Sequence, residues 1–245
     1  IGMGKWMAHQ QRVKLATVLS LLVAAAAYLP VYVLANCIEL EGSLTQGGLI
    51  WGTVPSGSRV TLDGETLDVL QAGTTLAGFG RNAAATAELV VEDGADVCRQ
   101  TLQITPRQYA VQRVQGVPQK TVTPPPQQLE RIRREQALVN AAKAQHLLRP
   151  DLLQSALAGF QWPTVGPISG VYGSQRYYNG TAGNPHYGVD VAVPTGTAVL
   201  APAAGLVTLA QPDLFYSGGT VILDHGFRFS SAFLHMSKVL VEVGK

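Results

Sequence analysis

The spacing of apolar residues changes along the chain, and each change predicts a different element. From Leu15 to Ala35 apolar residues are nearly continuous, broken by Thr17 and Ser20 and preceded by Lys5, Arg12 and Lys14. A basic flank before an apolar run that ends in small residues predicts an export leader. The run is also long enough to span a bilayer as an uncleaved anchor. Leu34-Ala35-Asn36-Cys37 resembles a lipoprotein cleavage box, with Asn36 a poor fit before the cysteine. All three readings of residues 1–36 place the rest of the chain outside the cytoplasm.

Beyond the leader, apolar and polar residues alternate with period two. Ile38–Gly42, Arg59–Gly64 and Ala87–Gly94 read as strands closing on Asp-Gly or Gly-rich turns, which predicts a small β-sandwich over residues 37–111. From Gln112 to Pro126 the alternation gives way to Gly116-Val117-Pro118 and Thr123-Pro124-Pro125-Pro126, a stiff linker. Leu129, Ile132, Leu138, Val139 and Ala142 then fall at helical spacing. They predict one helix running to about Leu148 and ended by Arg149-Pro150, its charges forming a solvated face. Residues 112–159 therefore read as linker plus helix, a tether for the C-terminal domain.

Residues 160–245 return to strand and turn. Strands are expected at Ile168–Gly173, Ala198–Pro202, Gly205–Ala210, Gly219–Asp224 and Ser230–Ser237, with Asp224-His225-Gly226 as a hairpin turn. Alternation puts Ser231, Phe233 and His235 on one face and Ala232 and Leu234 on the other. The fold class is mainly β: a leader or transmembrane helix, a β-sandwich, a Pro-rich linker with a helix, and a C-terminal antiparallel β domain.

One stretch of that last domain carries candidate chemistry, Asn184-Pro185-His186-Tyr187-Gly188-Val189-Asp190-Val191. Pro185, Gly188 and the valines favour extended chain over helix. On a regular strand His186 and Asp190 would share a face but stand about 13 Å apart, at about 3.3 Å per residue. Zinc bonds of about 2 Å cannot bridge that gap. A shared metal thus requires the chain to fold back between them, with Gly188 as the expected hinge. An ordinary turn with a polar residue at either end is the competing reading. His225 and His235 stay open between core or surface residues and part of a site.

Composition narrows the partners. The 245 residues carry a net charge of +2 with 14% charged residues, which excludes the basic footprint of a nucleic-acid binder. The two cysteines, Cys37 and Cys98, bracket the β-sandwich. In an exported protein they read as one disulfide, against unrelated thiols or a lipidated Cys37. The chain opens on Ile1 and stops at Val243-Gly244-Lys245 inside an expected strand and turn, and is expected to be a fragment.

Several ordered motifs of residues 160–245 carry a resemblance. They are Ser169-Gly170-Val171-Tyr172-Gly173 with Arg176, His186-Tyr187-Gly188-Val189-Asp190, and Pro194-Thr195-Gly196-Thr197-Ala198-Val199. Ala203-Ala204-Gly205-Leu206-Val207, Gly219–Gly226 and Phe233-Leu234-His235-Met236-Ser237 complete the set. Together they resemble the lysostaphin-type (LytM-like) zinc metallopeptidases that cut peptide cross-links of bacterial cell walls. The whole layout resembles cell-wall endopeptidases of Gram-negative bacteria, acting in the periplasm or cell envelope.

The resemblance implies His186 and Asp190 as Zn2+ ligands and His235 as the catalytic histidine beside the metal-activated water. It places the third ligand in a His-x-His motif some tens of residues past His235, beyond Lys245. By the same resemblance the partners are peptidoglycan peptide stems, with Tyr177, Tyr178 and Tyr187 as candidate groove walls. The inner membrane is a partner if the apolar segment is retained. The implied reaction is metal-assisted hydrolysis, with His235 orienting water, accepting its proton or stabilising an oxyanion. The 245-residue chain on its own is expected to be inactive. Family members that have lost ligands imply a second function: a non-catalytic domain that binds murein or activates an amidase.

Overall fold

The structure, a computed structural model, describes residues 36–116 and 124–245. The expected leader and the linker residues 117–123 lie outside the described residues. Among the described residues no helix is long and apolar enough to cross a membrane.

The first half builds the expected sandwich. Its strands are β1 (Leu40–Gly42), β2 (Leu49–Thr53), β3 (Arg59–Leu62), β4 (Glu65–Leu67), β5 (Thr74–Gly78), β6 (Thr86–Asp93) and β7 (Asp96–Gln103). They pair antiparallel into one sheet of order β1-β2-β5 and another of order β4-β3-β6-β7. The period-two pattern sends Ile38, Ile50, Val60, Leu89, Val91 and Leu102 inward to a shared core. Asp63 (φ 49°) and Gly64 (φ 84°) close the β3–β4 hairpin with two left-handed residues, the turn that matches strand twist. Cys37 and Cys98 form a disulfide that ties the start of the sandwich to β7.

The second half adds β8 (Val111–Val114), β9 (Ile168–Gly170), β10 (Gln175–Tyr178), β11 (Thr181–Ala182), β12 (Asp190–Val191), β13 (Leu206–Leu214), β14 (Gly218–Asp224) and β15 (Ser230–Met236). They form an antiparallel β13-β14-β15 sheet, a β12-β9 pair and a β11-β10-β8 sheet. The start of the expected linker is thus a strand. β8 lies parallel to β10, with Gln112 opposite Arg176, a pairing between distant segments that local composition does not reveal. Ala198–Pro202, expected as a strand, is irregular. Its bonds go instead to the entry of the domain, from Leu200 N to Pro163 O and from Gln161 N to Pro202 O, and Pro202 has no N–H for a ladder.

The helical region differs from expectation in two ways. A 3-10 turn at Pro126–Gln128 leads into α1 (Leu129–Lys143), which stops short of Leu148. Pro150 then opens a second helix, α2 (Pro150–Leu157), rather than merely ending the first. Proline suits a first helical position because that N–H has no intrahelical partner. α1 is also not a bare tether. Ala142 packs with Leu209, Leu214 and Ile222 of the β13-β14-β15 sheet. Arg131 donates to Glu135 at 2.6 Å and to the Asp213 carboxylate at 3.0 Å, while Glu135 accepts the Phe215 N–H at 2.7 Å. Two of the charges expected on a solvated face, Arg131 and Glu135, therefore clamp the helix to β13 and the turn beyond it, while Glu130, Arg133 and Arg134 stay exposed.

Candidate metal site

The site is built from two short segments that run side by side. β9 and β12 pair with Asp190 opposite Gly170, and the turn after β9, Val171–Ser174, lies against His186. Gly173 N donates to His186 O at 2.7 Å, and His186 N donates to Ser174 O at 2.8 Å. The chain does bend between His186 and Asp190, and the bend centres on Gly188.

The bend falls where expected, but the positions that only glycine can fill are others. Gly188 has no left-handed φ, and a Cβ there would meet only His186 Nε2, at 3.8 Å, an ordinary contact. Gly170 is where a side chain cannot fit: a Cβ would stand 2.2 Å from Asp190 Oδ2. Gly173 combines φ +83° with an approach that would put a Cβ 2.0 Å from the Tyr109 ring. Both lie in the motif Ser169–Gly173, but their spatial partners are distant in sequence.

The two side chains meet. His186 Nε2 lies 3.0 Å from Asp190 Oδ1, and His186 Nδ1 lies 3.1 Å from Val171 O. The carbonyl can only accept, so it selects the tautomer with hydrogen on Nδ1 and leaves a lone pair on Nε2. That lone pair faces a carboxylate oxygen, and two acceptors at this distance repel unless a proton or a cation lies between them. Ligand atoms around a tetrahedral zinc stand about 3.3 Å apart for bonds near 2 Å, so the pair fits two corners of such a site. The side chains are 33% and 54% exposed, which leaves the outer side of the pair open. Among the described residues no three His, Cys, Asp or Glu side chains gather as a metal-binding group.

His235 departs from the alternation expected of its strand. Ser231 and Phe233 share a face as expected, and it is the inward one, with Phe233 packed beside Val207, Val221 and Leu223. Val221 pairs with Phe233 and Gly219 with Met236, so β15 holds one more residue than β14 across that interval. His235 sits in this bulge with φ 61°, exposed, its N–H bonded to Ser217 O at 2.8 Å. Bulges re-aim side chains, and this one takes His235 off the inward face.

His225, left open by the sequence, is a core residue with no exposed surface. Its Nδ1 lies 2.7 Å from Ala204 O and its Nε2 2.9 Å from Ser231 Oγ, while Phe160 and Phe229 flank the ring. Tyr187 is exposed and edge-on to Tyr172, whereas Tyr177 lies on β10 beneath Arg113. Burial, then the neighbouring Tyr109 and Tyr187, push the Tyr172 hydroxyl above its ordinary pKa, so it stays neutral. A small apolar cleft of about 220 Å³, lined by Trp162, Val165, Ile168 and Val191 among others, borders β12 next to Asp190.

Comparison with known proteins bears on this same region. Residues 184–245 match the family described as Peptidase family M23. Over 96 residues, 39% of the chain, the sequence is 32% identical to a Vibrio cholerae protein named peptidoglycan DD-endopeptidase ShyA. It is 41% identical over 61 residues, 25% of the chain, to an uncharacterized metalloprotease of Haemophilus influenzae. It is 31% identical over 96 residues to a Pseudomonas aeruginosa lipoprotein NlpD/LppB homolog. The matched stretches span 22%, 13% and 30% of those proteins' own lengths. A solved Pseudomonas aeruginosa structure assigned to peptidase M23 superposes with a TM-score of 0.57 at 26% identity, covering 83% of this chain and 78% of that one. The match to peptidase family M23 and the likeness to that structure agree with the resemblance of residues 160–245 to the lysostaphin-type, LytM-like group.

Proposed function

We propose that the protein is a zinc-dependent endopeptidase acting on the peptide cross-links of bacterial peptidoglycan in the cell envelope. The observation that carries this reading is the convergence of His186 Nε2 and Asp190 Oδ1 with the histidine tautomer set by Val171 O. The peptidoglycan endopeptidase and metalloprotease among its relatives support the substrate and the metal. A zinc ion there would supply Lewis acidity toward a peptide carbonyl and would acidify water. His186 holds its place through three bonds to the Val171–Ser174 turn, and Asp190 brings the negative charge that offsets part of the cation's. His235, exposed in its bulge, is assigned the task of accepting a proton or steadying developing negative charge. The apolar cleft beside Val191 would hold the aliphatic part of an extended peptide stem. In domain terms, residues 37–111 form the accessory β domain, 112–159 the connection and 160–245 the peptidase portion.

The alternative implied by the same resemblance is a non-catalytic domain that binds murein or activates an amidase. Zinc content by atomic absorption, measured alongside release of cleaved muropeptides, separates the two readings. The full-length enzyme holds zinc in the wild type, loses it in Asp190→Ala, and keeps it in His235→Ala while turnover falls. Equal zinc content in wild type and Asp190→Ala would count against the ligand assignment.

A further inference from the structure

The turn that holds His186 is itself held from behind, by the β-sandwich. Arg81, in the segment after β5, donates from Nε to Gly173 O at 2.8 Å, across 92 residues of sequence. Its guanidinium lies over the Tyr109 ring at 4.4 Å, and the Tyr109 hydroxyl donates back to Arg81 O at 3.1 Å. Tyr109 in turn presses on Gly173 so closely that no Cβ could enter. On the other side of the turn Tyr172 packs onto Gly47 of the sandwich, where a Cβ would stand 2.4 Å from the ring. Tyr109 and Tyr172 meet edge to face at 6.3 Å.

The same four residues face the site on their other side. Gly173 N and Ser174 O fix the His186 backbone, and Val171 O holds the His186 ring. Val171 O is further anchored by Ser174, whose hydroxyl donates to it at 3.0 Å. One turn therefore has the sandwich on one side and a candidate metal ligand on the other. A planar Arg Nε–H aimed at a carbonyl is directional, so it resists rotation of the Gly173 peptide in a way that apolar packing does not.

We propose that Arg81 is a positioning residue for the metal site, holding the Val171–Ser174 turn so that Val171 O keeps His186 in the tautomer and orientation that offer Nε2 to a cation. The sandwich is then the rear support of the site. This rests on the reading of His186 and Asp190 as metal ligands, and the experiment separates the two. Groups that orient a histidine ligand from behind are typically worth about 10- to 100-fold in metal affinity.

Zinc affinity is measured by competition with a chromophoric chelator in the full-length protein as wild type, Asp190→Ala, Arg81→Ala and Arg81→Lys. The tautomer of His186 is read in parallel from its ring 15N shifts in the metal-free protein. The expected result is affinity at least about tenfold weaker in Arg81→Ala, with partial recovery in Arg81→Lys. The His186 ring should move from a single Nδ1–H form toward a mixture, with the thermal transition of the sandwich retained. A role confined to holding the sandwich together would lower the melting temperature and leave the ring shifts in place, which overturns the proposal. So does wild-type affinity in Arg81→Ala, provided Asp190→Ala has lost its zinc. If Arg81→Ala does not fold, Arg81→Lys decides by the same two readouts. Failure of the wild type to bind zinc sinks the underlying metal reading instead, and the 15N pattern then still reports whether Arg81 sets the ring.

Discussion

Gly170→Ala tests the geometry of the metal corner with one methyl group. The added Cβ would lie 2.2 Å from Asp190 Oδ2, 2.9 Å from its Cγ and 3.2 Å from its Cβ. Ordinary contacts begin near 3.4 Å, so the carboxylate must withdraw by roughly an ångström or more. Two escapes exist. The Asp190 side chain can rotate away, or β9 and β12 can separate. Rotation breaks the 3.0 Å approach to His186, but the carboxylate is 54% exposed and can turn into water. An exposed pair of this kind is worth about 1 kcal/mol or less, so stability should fall by no more than that. For a chain of this size that is a shift of about 2–4 °C in melting temperature. Separating the strands would cost more, because it also frees the Asp190–Gly170 and Val191–Ile168 pairings. Rotation should therefore win, and its effect belongs to the site rather than to the fold. The expected outcome is a nearly unchanged melt by circular dichroism with zinc affinity reduced at least about tenfold, comparable to disturbing a ligand's support. Wild-type affinity with a wild-type melt would refute the reasoning. A loss above about 10 °C would show that the strands part instead.

Two further predictions concern the support around the site. Replacing Cys37 and Cys98 by serine opens a crosslink between positions 61 apart, which the loop-entropy relation puts at about 4 kcal/mol. The β-sandwich transition should drop in a denaturant melt, and an unchanged midpoint would count against it. Acid should weaken the α1 clamp and the start of α2. Burial works to raise the Glu135 pKa, but the Phe215 N–H and Arg131 outweigh it and hold it below the ordinary carboxylate value. The bond from Arg149 leads the causes that bring Asp151 down to about 2. Groups depressed by folding contribute fully above the unfolded carboxylate range near pH 4, and that contribution is lost as pH falls through the folded values. Stability should decline between about pH 4 and 2 in a pH-jump melt, and Glu135→Gln should flatten part of that limb.

Legibility in the sequence tracks the range of the interactions. Local signals survive into the structure: alternation places Val60, Leu89 and Val91 in the sandwich core, and Asp63-Gly64 closes a hairpin. The disulfide is legible because only two cysteines are available to pair. The fold-back joining His186 to Asp190 is legible as a requirement of chemistry, and its bend falls at Gly188, but sequence proximity does not reveal which glycines the site requires. Gly188 stands between the two residues in sequence, whereas Gly170 and Gly173 stand behind them in space. Nothing local distinguishes them. The α1 face misleads for a similar reason, since Glu135 finds Phe215 from 80 residues away. Arg81 carries no signal at all, being one arginine in a turn whose partner, the Gly173 carbonyl, offers no side chain to a sequence pattern.

The bulge at His235 lends itself to a last prediction, because it sets stability against activity at one position. A non-glycine residue at φ 61° is strained by about 1–2 kcal/mol relative to a relaxed backbone, and glycine is spared that cost. Alanine keeps the strain and loses the imidazole. Glycine loses both, but gives back about 0.5–1 kcal/mol through the greater freedom of its unfolded chain. His235 is exposed, so neither change opens a cavity. In the full-length protein His235→Gly should therefore melt at or slightly above the wild-type temperature, and above His235→Ala, while both lose muropeptide cleavage. If the residue were there for the fold, glycine would be the less stable of the two variants. A backbone held in a costly conformation, where a cheaper residue would stabilise the chain, points to selection for what the side chain does. Should His235→Gly cleave muropeptides at the wild-type rate, the bulge would be ordinary strand irregularity and the histidine would have no part in turnover.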